Sequence, residues 1–196
     1  MRYTRTMRLF IAAMVDQECT GRLLALQERL RAAACRGNFP RGFHLTLVFL
    51  GETGEGLVPA IRDRIAALPC SGAFTLHFSR AGCFRRRGKE LWYIGAAPGS
   101  PGMERLLELR AKLVEGLEEL APPRSASLGV PAGAGGLSFD RRPLKAHITL
   151  GRELRLNREV PPFPVQVEVP IRRISLMQSE HRDGRRVYTE RFGRDV

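Results

Sequence analysis

His44-Leu45-Thr46-Leu47 and His147-Ile148-Thr149-Leu150 repeat one pattern, histidine, apolar, threonine, leucine, at two places far apart in the chain. In an extended strand side chains alternate faces with period two, so each histidine shares a face with its threonine while the apolar pair turns to a core. Two such strands brought together surround one polar cleft with two imidazoles and two hydroxyls. An unperturbed imidazole titrates near pH ~6.5, so one ring can be neutral while the other is protonated. One can then take a proton from water and the other give one to a departing oxygen, each transfer being worth about 10²–10⁴ in rate. The hydroxyls can bond non-bridging oxygens, and a nearby arginine can offset the growing charge. Neither motif carries a carboxylate. The set suits a cyclic phosphate diester, whose opening needs an in-line water and a protonated leaving hydroxyl.

Other residues around the motifs have competing readings. Thr46 and Thr149 suit a strand by propensity alone, but their fixed offset from histidine favours phosphate contact. Arg152 lies five residues past His147, an odd offset that a regular strand turns to the opposite face, so a bulge or a strand end must redirect it if it is to meet a phosphate. Phe49 stands in the same relation to His44, and core packing is its default role. His77 alternates with polar neighbours and His181 lies beside a tight turn; both read as structural or solvated. The run Arg141-Arg142-Pro143-Leu144-Lys145 leads into the second motif and suits either a nucleic-acid backbone or plain solvation.

The charge balance points the same way without deciding it. The net charge of +12 comes almost wholly from arginine, since lysine occurs only at Lys89, Lys112 and Lys145. Arginine grips phosphate oxygens in pairs and favours a polyanionic partner, although net charge speaks to association and not to fold. Cys19, Cys35, Cys70 and Cys83 show no Cys-x-x-Cys spacing, which argues against a structural zinc site, and neither motif supplies the third ligand of a zinc hydrolase. No apolar run approaches a membrane span. The stretch Leu9 to Val15 reads as a buried strand rather than a signal segment. A soluble, cytoplasmic monomer is expected.

The elements that must position the motifs follow from periodicity. The spacing predicts a helix from about Glu18 to Arg36 with Leu23, Leu26, Leu30 and Ala33 on one face, ended by Gly37. A strand from Phe43 to Leu50 carries the first motif and closes at Gly51. A helix with Leu57, Ile61, Ile65 and Leu68 follows. Alternation over Phe74–Ser79 and Leu91–Ile94 predicts a hairpin turning through Arg85 to Lys89. Ser100 and Pro101 open a third helix striped by Leu106, Leu109, Leu113, Leu117 and Leu120. Residues 121–136 read as a flexible loop. The second motif strand runs from about Lys145 to Arg152, and the rest is β-like, with a turn at Arg182-Asp183-Gly184-Arg185. The fold class is α+β with a largely antiparallel sheet.

At these residues the chain resembles the two-histidine (2H) phosphoesterase superfamily, whose members carry two His-x-Thr-x motifs. It is most similar to the RNA 2′,3′-cyclic phosphodiesterases, also called the 2′-5′ RNA ligase family. His44 to Gly51, His147 to Arg152 and the opening Arg8-Leu9-Phe10-Ile11-Ala12 carry the likeness. The resemblance implies one bilobal domain over residues 1–196, with two mainly antiparallel sheets flanking a central cleft and helices outside. It implies metal-independent, cofactor-free hydrolysis of RNA 2′,3′-cyclic phosphate ends, or of cyclic nucleotides, to 2′-phosphates. His44 would be the proton donor and His147 the proton acceptor. Thr46, Thr149 and Arg152 would hold the phosphate, and Phe49 would stack on the terminal base. The alternatives are 2′-5′ RNA ligation and a non-catalytic RNA-binding module.

Overall fold

Strand pairing in this chain is antiparallel throughout the described residues. The structure is a computed structural model that describes residues 5–70, 72–121, 136–182 and 185–196. The elements are β1 (Thr6–Met14), α1 (Gln17–Arg31), β2 (Ala34–Asn38), β3 (His44–Gly54), α2 (Val58–Ala66), β4 (Phe74–Arg86), β5 (Lys89–Ala96), α3 (Pro101–Glu118), β6 (His147–Leu156), β7 (Phe163–Ile171), β8 (Arg173–Arg182) and β9 (Arg185–Asp195). They form one sheet in the order β7-β4-β5-β6-β3-β1-β8-β9, with β2 paired to β6 off that path. The α+β class expected above holds. The two expected sheets are two four-strand halves of one sheet, joined at its centre where β3 meets β6 through the pair Leu45 and Ile148.

The joined strands are the two motif strands. Leu45 and Ile148 are fully buried and belong to the main core with Leu23 and Leu30 of α1, Ile61 and Ile65 of α2 and Leu106 and Leu113 of α3. Helix α1 packs on β6 and β7, α2 on β8 and β9, and α3 on β4 and β3. All three helices thus cover the face that takes the motif leucines and isoleucine. The face that takes the histidines and threonines carries a small separate cluster of Phe10, Ala12 and Met177, with Met14 and Tyr188 against it.

Most predicted elements form where expected, and the capping signals explain several ends. Ser100 accepts from the Met103 amide at 3.3 Å with Pro101 in the first turn, satisfying an otherwise orphaned helix donor. The β4–β5 hairpin closes through Arg87 and Gly88, both at positive φ (50° and 71°), the backbone that a two-residue turn matching strand twist requires. Helix α1 stops at Arg31, five residues short of the periodic reading, and Ala34–Asn38 is the strand β2 on β6. Local propensity loses there to long-range pairing. Gly37 is not a helix stop: a Cβ on it would lie 2.2 Å from Leu154 Cδ2, so it is the point where β2 approaches β6. Strand β3 likewise passes through Gly51, at φ 68°, and continues to Gly54. Most of the loop at 121–136, and the two central residues of the turn at 182–185, lie outside the described residues.

Because one residue pair joins the halves, it is the sensitive point of the sheet. Leu45→Ala is expected to cost about 2–5 kcal/mol of stability, measured by urea denaturation.

Candidate active site

Carried one residue to each side, the Leu45–Ile148 register sets His44 across from Thr149 and Thr46 across from His147. Each histidine therefore faces the other motif's threonine, and all four side chains share the uncovered face. Just past each threonine the pairing slips by one residue. On β3, Thr46 pairs with Ala12 and Val48 with Ile11, leaving Leu47 without a partner on β1. On β6, Thr149 pairs with Tyr93 and Gly151 with Trp92, leaving Leu150 without a partner on β5. A bulge of this kind inserts one residue and reverses the facing of everything after it. It falls at the fourth residue of both motifs. The odd offset is thereby resolved: Phe49 comes out beside Phe10, exposed to 36 %, and Arg152 turns to the histidine face.

The extra residue leaves a carbonyl that the strand ladder does not use, and each is taken by a helix side chain. Gln27 of α1, fully buried, donates both Nε2 hydrogens, one to Leu150 O (2.9 Å) and one to Pro40 O (2.8 Å). Arg110 of α3 donates from Nε to Leu47 O (3.1 Å) and from Nη2 to Arg142 O (2.7 Å). Pro40 lies on the approach to the first motif and Arg142 on the approach to the second. Gln27 thus ties the first motif's approach to the second motif's bulge, and Arg110 does the converse. This pair of cross-braces went unread in the sequence. Gln27 carried a signal, a polar residue inside the buried stripe between Leu23 and Leu30; a buried polar group is informative where an exposed apolar one is not.

The environments of the two rings differ. His147 Nδ1 lies 2.6 Å from Lys145 O. A carbonyl only accepts, so Nδ1 carries the hydrogen and Nε2 keeps its lone pair. Tyr93 and Phe84 meet this ring edge-on, at 5.5 and 6.1 Å between centroids. His44 sits between Phe10 and Tyr188, each at 5.0 Å. Burial pushes its pKa down to about 4, helped by the positive charges of Arg152 and of His147. His147 is also lowered, chiefly by burial and further by Arg152, against the raising effect of the Lys145 carbonyl. Both rings are therefore neutral near pH 7, and an anion brought between them and Arg152 would restore the charge of one. His44, Thr149, Arg152, Pro40, Gly42 and Tyr188 line one small crevice.

His77 and His181 lie elsewhere, as expected: both are exposed, His77 beside Glu168 (3.3 Å) and His181 beside Arg186 (3.4 Å). Arg141 and Arg142 hold Glu118 and Asp140 in exposed ion pairs, so those two arginines of the basic run already have carboxylate partners. Among the described residues no group of three His, Cys, Asp or Glu converges on a metal position, and no helix is long and apolar enough to cross a membrane. The aromatic neighbours of both rings were not singled out by spacing, because Phe10, Phe84, Tyr93 and Tyr188 come from four different strands.

Two measurements test this geometry. Gln27→Leu strands two buried carbonyls and is expected to cost about 1–3 kcal/mol by chemical denaturation. In the unfolded chain His44 takes up a proton near pH ~6.5, in the folded chain only near 4. Between those values the unfolded state binds more protons, so stability falls as pH is lowered through that window. Thermal melts at pH 7 and pH 5 should show the loss, and His44→Gln should make the slope shallower.

With the site defined, likeness to known proteins can be placed on it. Residues 22–183 match the sequence model of the 2′-5′ RNA ligase superfamily, a span that includes both motifs. A Thermus thermophilus protein named RNA 2′,3′-cyclic phosphodiesterase is 30 % identical over 188 residues, 93 % of this chain and 87 % of its own. An Archaeoglobus fulgidus protein of the same name is 30 % identical over 156 residues, 79 % of this chain and 77 % of its own. Among solved structures, one from Thermus thermophilus superposes with a TM-score of 0.75 at 28 % identity, covering 96 % of this chain and 97 % of its own. Escherichia coli LigT complexed with 3′-AMP shares the fold, with a TM-score of 0.70 at 22 % identity and coverage of 98 % and 99 %. A family model spanning most of the chain, and relatives at this identity and coverage, place the protein in the 2′-5′ RNA ligase superfamily.

Proposed function

We propose that this chain is a metal-independent RNA 2′,3′-cyclic phosphodiesterase that opens the cyclic end to a 2′-phosphate by paired acid–base catalysis. The observation that carries the reading is the antiparallel pairing of the two motifs, which gives two imidazoles, two hydroxyls and one arginine a common face. The names of the two relatives support the reaction. RNA with a 2′,3′-cyclic terminus, or a cyclic nucleotide, is the substrate class.

The roles follow from the surroundings of each group. His147 is the base: its Nδ1 hydrogen is committed to Lys145 O, so Nε2 is the nitrogen that can take a proton from water. Water then attacks phosphorus in line with the 3′ oxygen. His44 is the acid that protonates that oxygen as its bond to phosphorus breaks. The phosphate anion offsets Arg152 and so relieves one of the charges that hold His44 neutral in the free protein. Thr46 and Thr149 bond the non-bridging oxygens, and Arg152 balances the charge that grows on them. Phe49 offers its ring to the terminal base. No step draws on a metal or an organic cofactor.

Turnover of a nucleoside 2′,3′-cyclic phosphate, with identification of the product, tests the reading directly. A 2′-phosphate formed at an undiminished rate in EDTA is expected, and a 3′-phosphate would overturn the assigned direction of opening. His147→Ala and His44→Ala should each lose about 10²–10⁴ in kcat/KM. Because both rings are shifted down in the free protein, the bell-shaped profile of kcat/KM should peak on the acid side of neutrality. Its two limbs belong to the coupled pair. Full activity in His147→Ala would remove the proposal.

A further inference from the structure

Hydrolysis of a cyclic phosphate needs one nucleoside in the site, yet aromatic surface is exposed on both sides of the histidine pair. On the His44 side the surface is Phe49, with the Arg8 guanidinium 4.8 Å from its ring centre. On the His147 side it is Phe84, exposed to 41 %. Phe84 stacks on Tyr93 with centroids 4.4 Å apart and planes 20° apart, and the Lys145 ammonium stands 5.9 Å from its ring centre. The other exposed large apolar side chains among the described residues, Leu24 and Leu107, lie on helices and not on the sheet.

The Phe84–Tyr93 ledge is built, not incidental. Tyr93 pairs with Gly82 on one flank and with Thr149 on the other. A Cβ on Gly82 would stand 3.1 Å from the Tyr93 hydroxyl, and one on Gly95 would stand 3.6 Å from the ring. Two glycines thus give the tyrosine room to lie across the sheet, face to Phe84 and edge to His147. Stacking an aromatic pair beside a cation is how a protein holds a base next to its phosphate.

We propose that this ledge is the subsite for the base of a second nucleoside, whose 5′ oxygen stands where water attacks. The inference rests on the assignment of His147 as the base, because the nucleophile enters on that side. With a 5′-hydroxyl in place of water, the O5′–P bond forms and the P–O3′ bond breaks. The hydroxyl proton passes to His147 Nε2, and His44 gives its proton to O3′. The product is a 2′-5′ diester, and the reverse sequence cleaves one. Atoms and protons balance without a cofactor.

The test compares two substrates, a nucleoside 2′,3′-cyclic phosphate and a 2′-5′-linked dinucleotide. The ratio of kcat/KM for the dinucleotide to that for the cyclic mononucleotide is expected to fall about tenfold in Phe84→Leu, since base stacking on one aromatic ring is worth that much or more. Phe84→Trp, which keeps a ring, should recover it. An unchanged ratio in Phe84→Leu would overturn the subsite, as would wild-type protein that opens the cyclic mononucleotide but never cleaves the dinucleotide. A third substrate, a 3′-5′ dinucleotide with a cyclic end, separates another occupant. If Phe84→Leu harms only that one, the ledge holds the penultimate base of the substrate strand and the proposal fails. Failure of wild-type protein on every substrate would instead remove the acid–base reading beneath it.

Discussion

A regular strand cannot present its first, third and sixth residues on one face, because facing alternates with every step. This site depends on doing so twice. On both motif strands one leucine, Leu47 or Leu150, is squeezed out of the ladder immediately after the threonine. The histidine and threonine precede the slip, the phenylalanine or arginine follows it, and all reach the same face. A bulge costs ladder hydrogen bonds. Here the unused carbonyls are recovered by Gln27 and Arg110 from the helical side of the sheet. The hydrophobic layer and the polar site are in this way one structure seen from two faces.

The same economy explains why the halves are joined so narrowly. Wide pairing between β3 and β6 would continue the sheet past the motifs and close the space between the rings. Pairing at Leu45 and Ile148 alone keeps the two strands in register where the chemistry requires it and lets them part beyond. The cross-braces then do what a longer ladder would have done, fixing each motif to the chain that leads into the other.

Burial gives the site its electrostatic character. Both imidazoles are held neutral by desolvation and by Arg152, a cation in the same crevice. Such a cleft is short of negative charge, which is what an incoming phosphate supplies. The tautomer of His147 is set by a backbone carbonyl two residues before it, so the division of labour between the rings comes from the main chain and not from a carboxylate.

Much of this was legible in one dimension. Repetition of histidine, apolar, threonine, leucine identified the candidate groups because period two is a property of any strand. The cap at Ser100, the hairpin at Gly88 and the helix stripes followed from local rules of the same kind. What the linear chain left open were effects of neighbours distant in sequence. Strand β2 replaced the last turn of a predicted helix because β6 offered it partners. Phe49 and Arg152 changed face because β1 and β5 slipped against the motif strands. Gln27, Arg110 and the Phe84–Tyr93 ledge acquired meaning only when helices and strands from separate parts of the chain met the motifs. Residue type and spacing determined which groups could carry a proton; only tertiary packing decided which way they point, how dry they are and what stands beside them, because burial and register are properties of the assembled sheet.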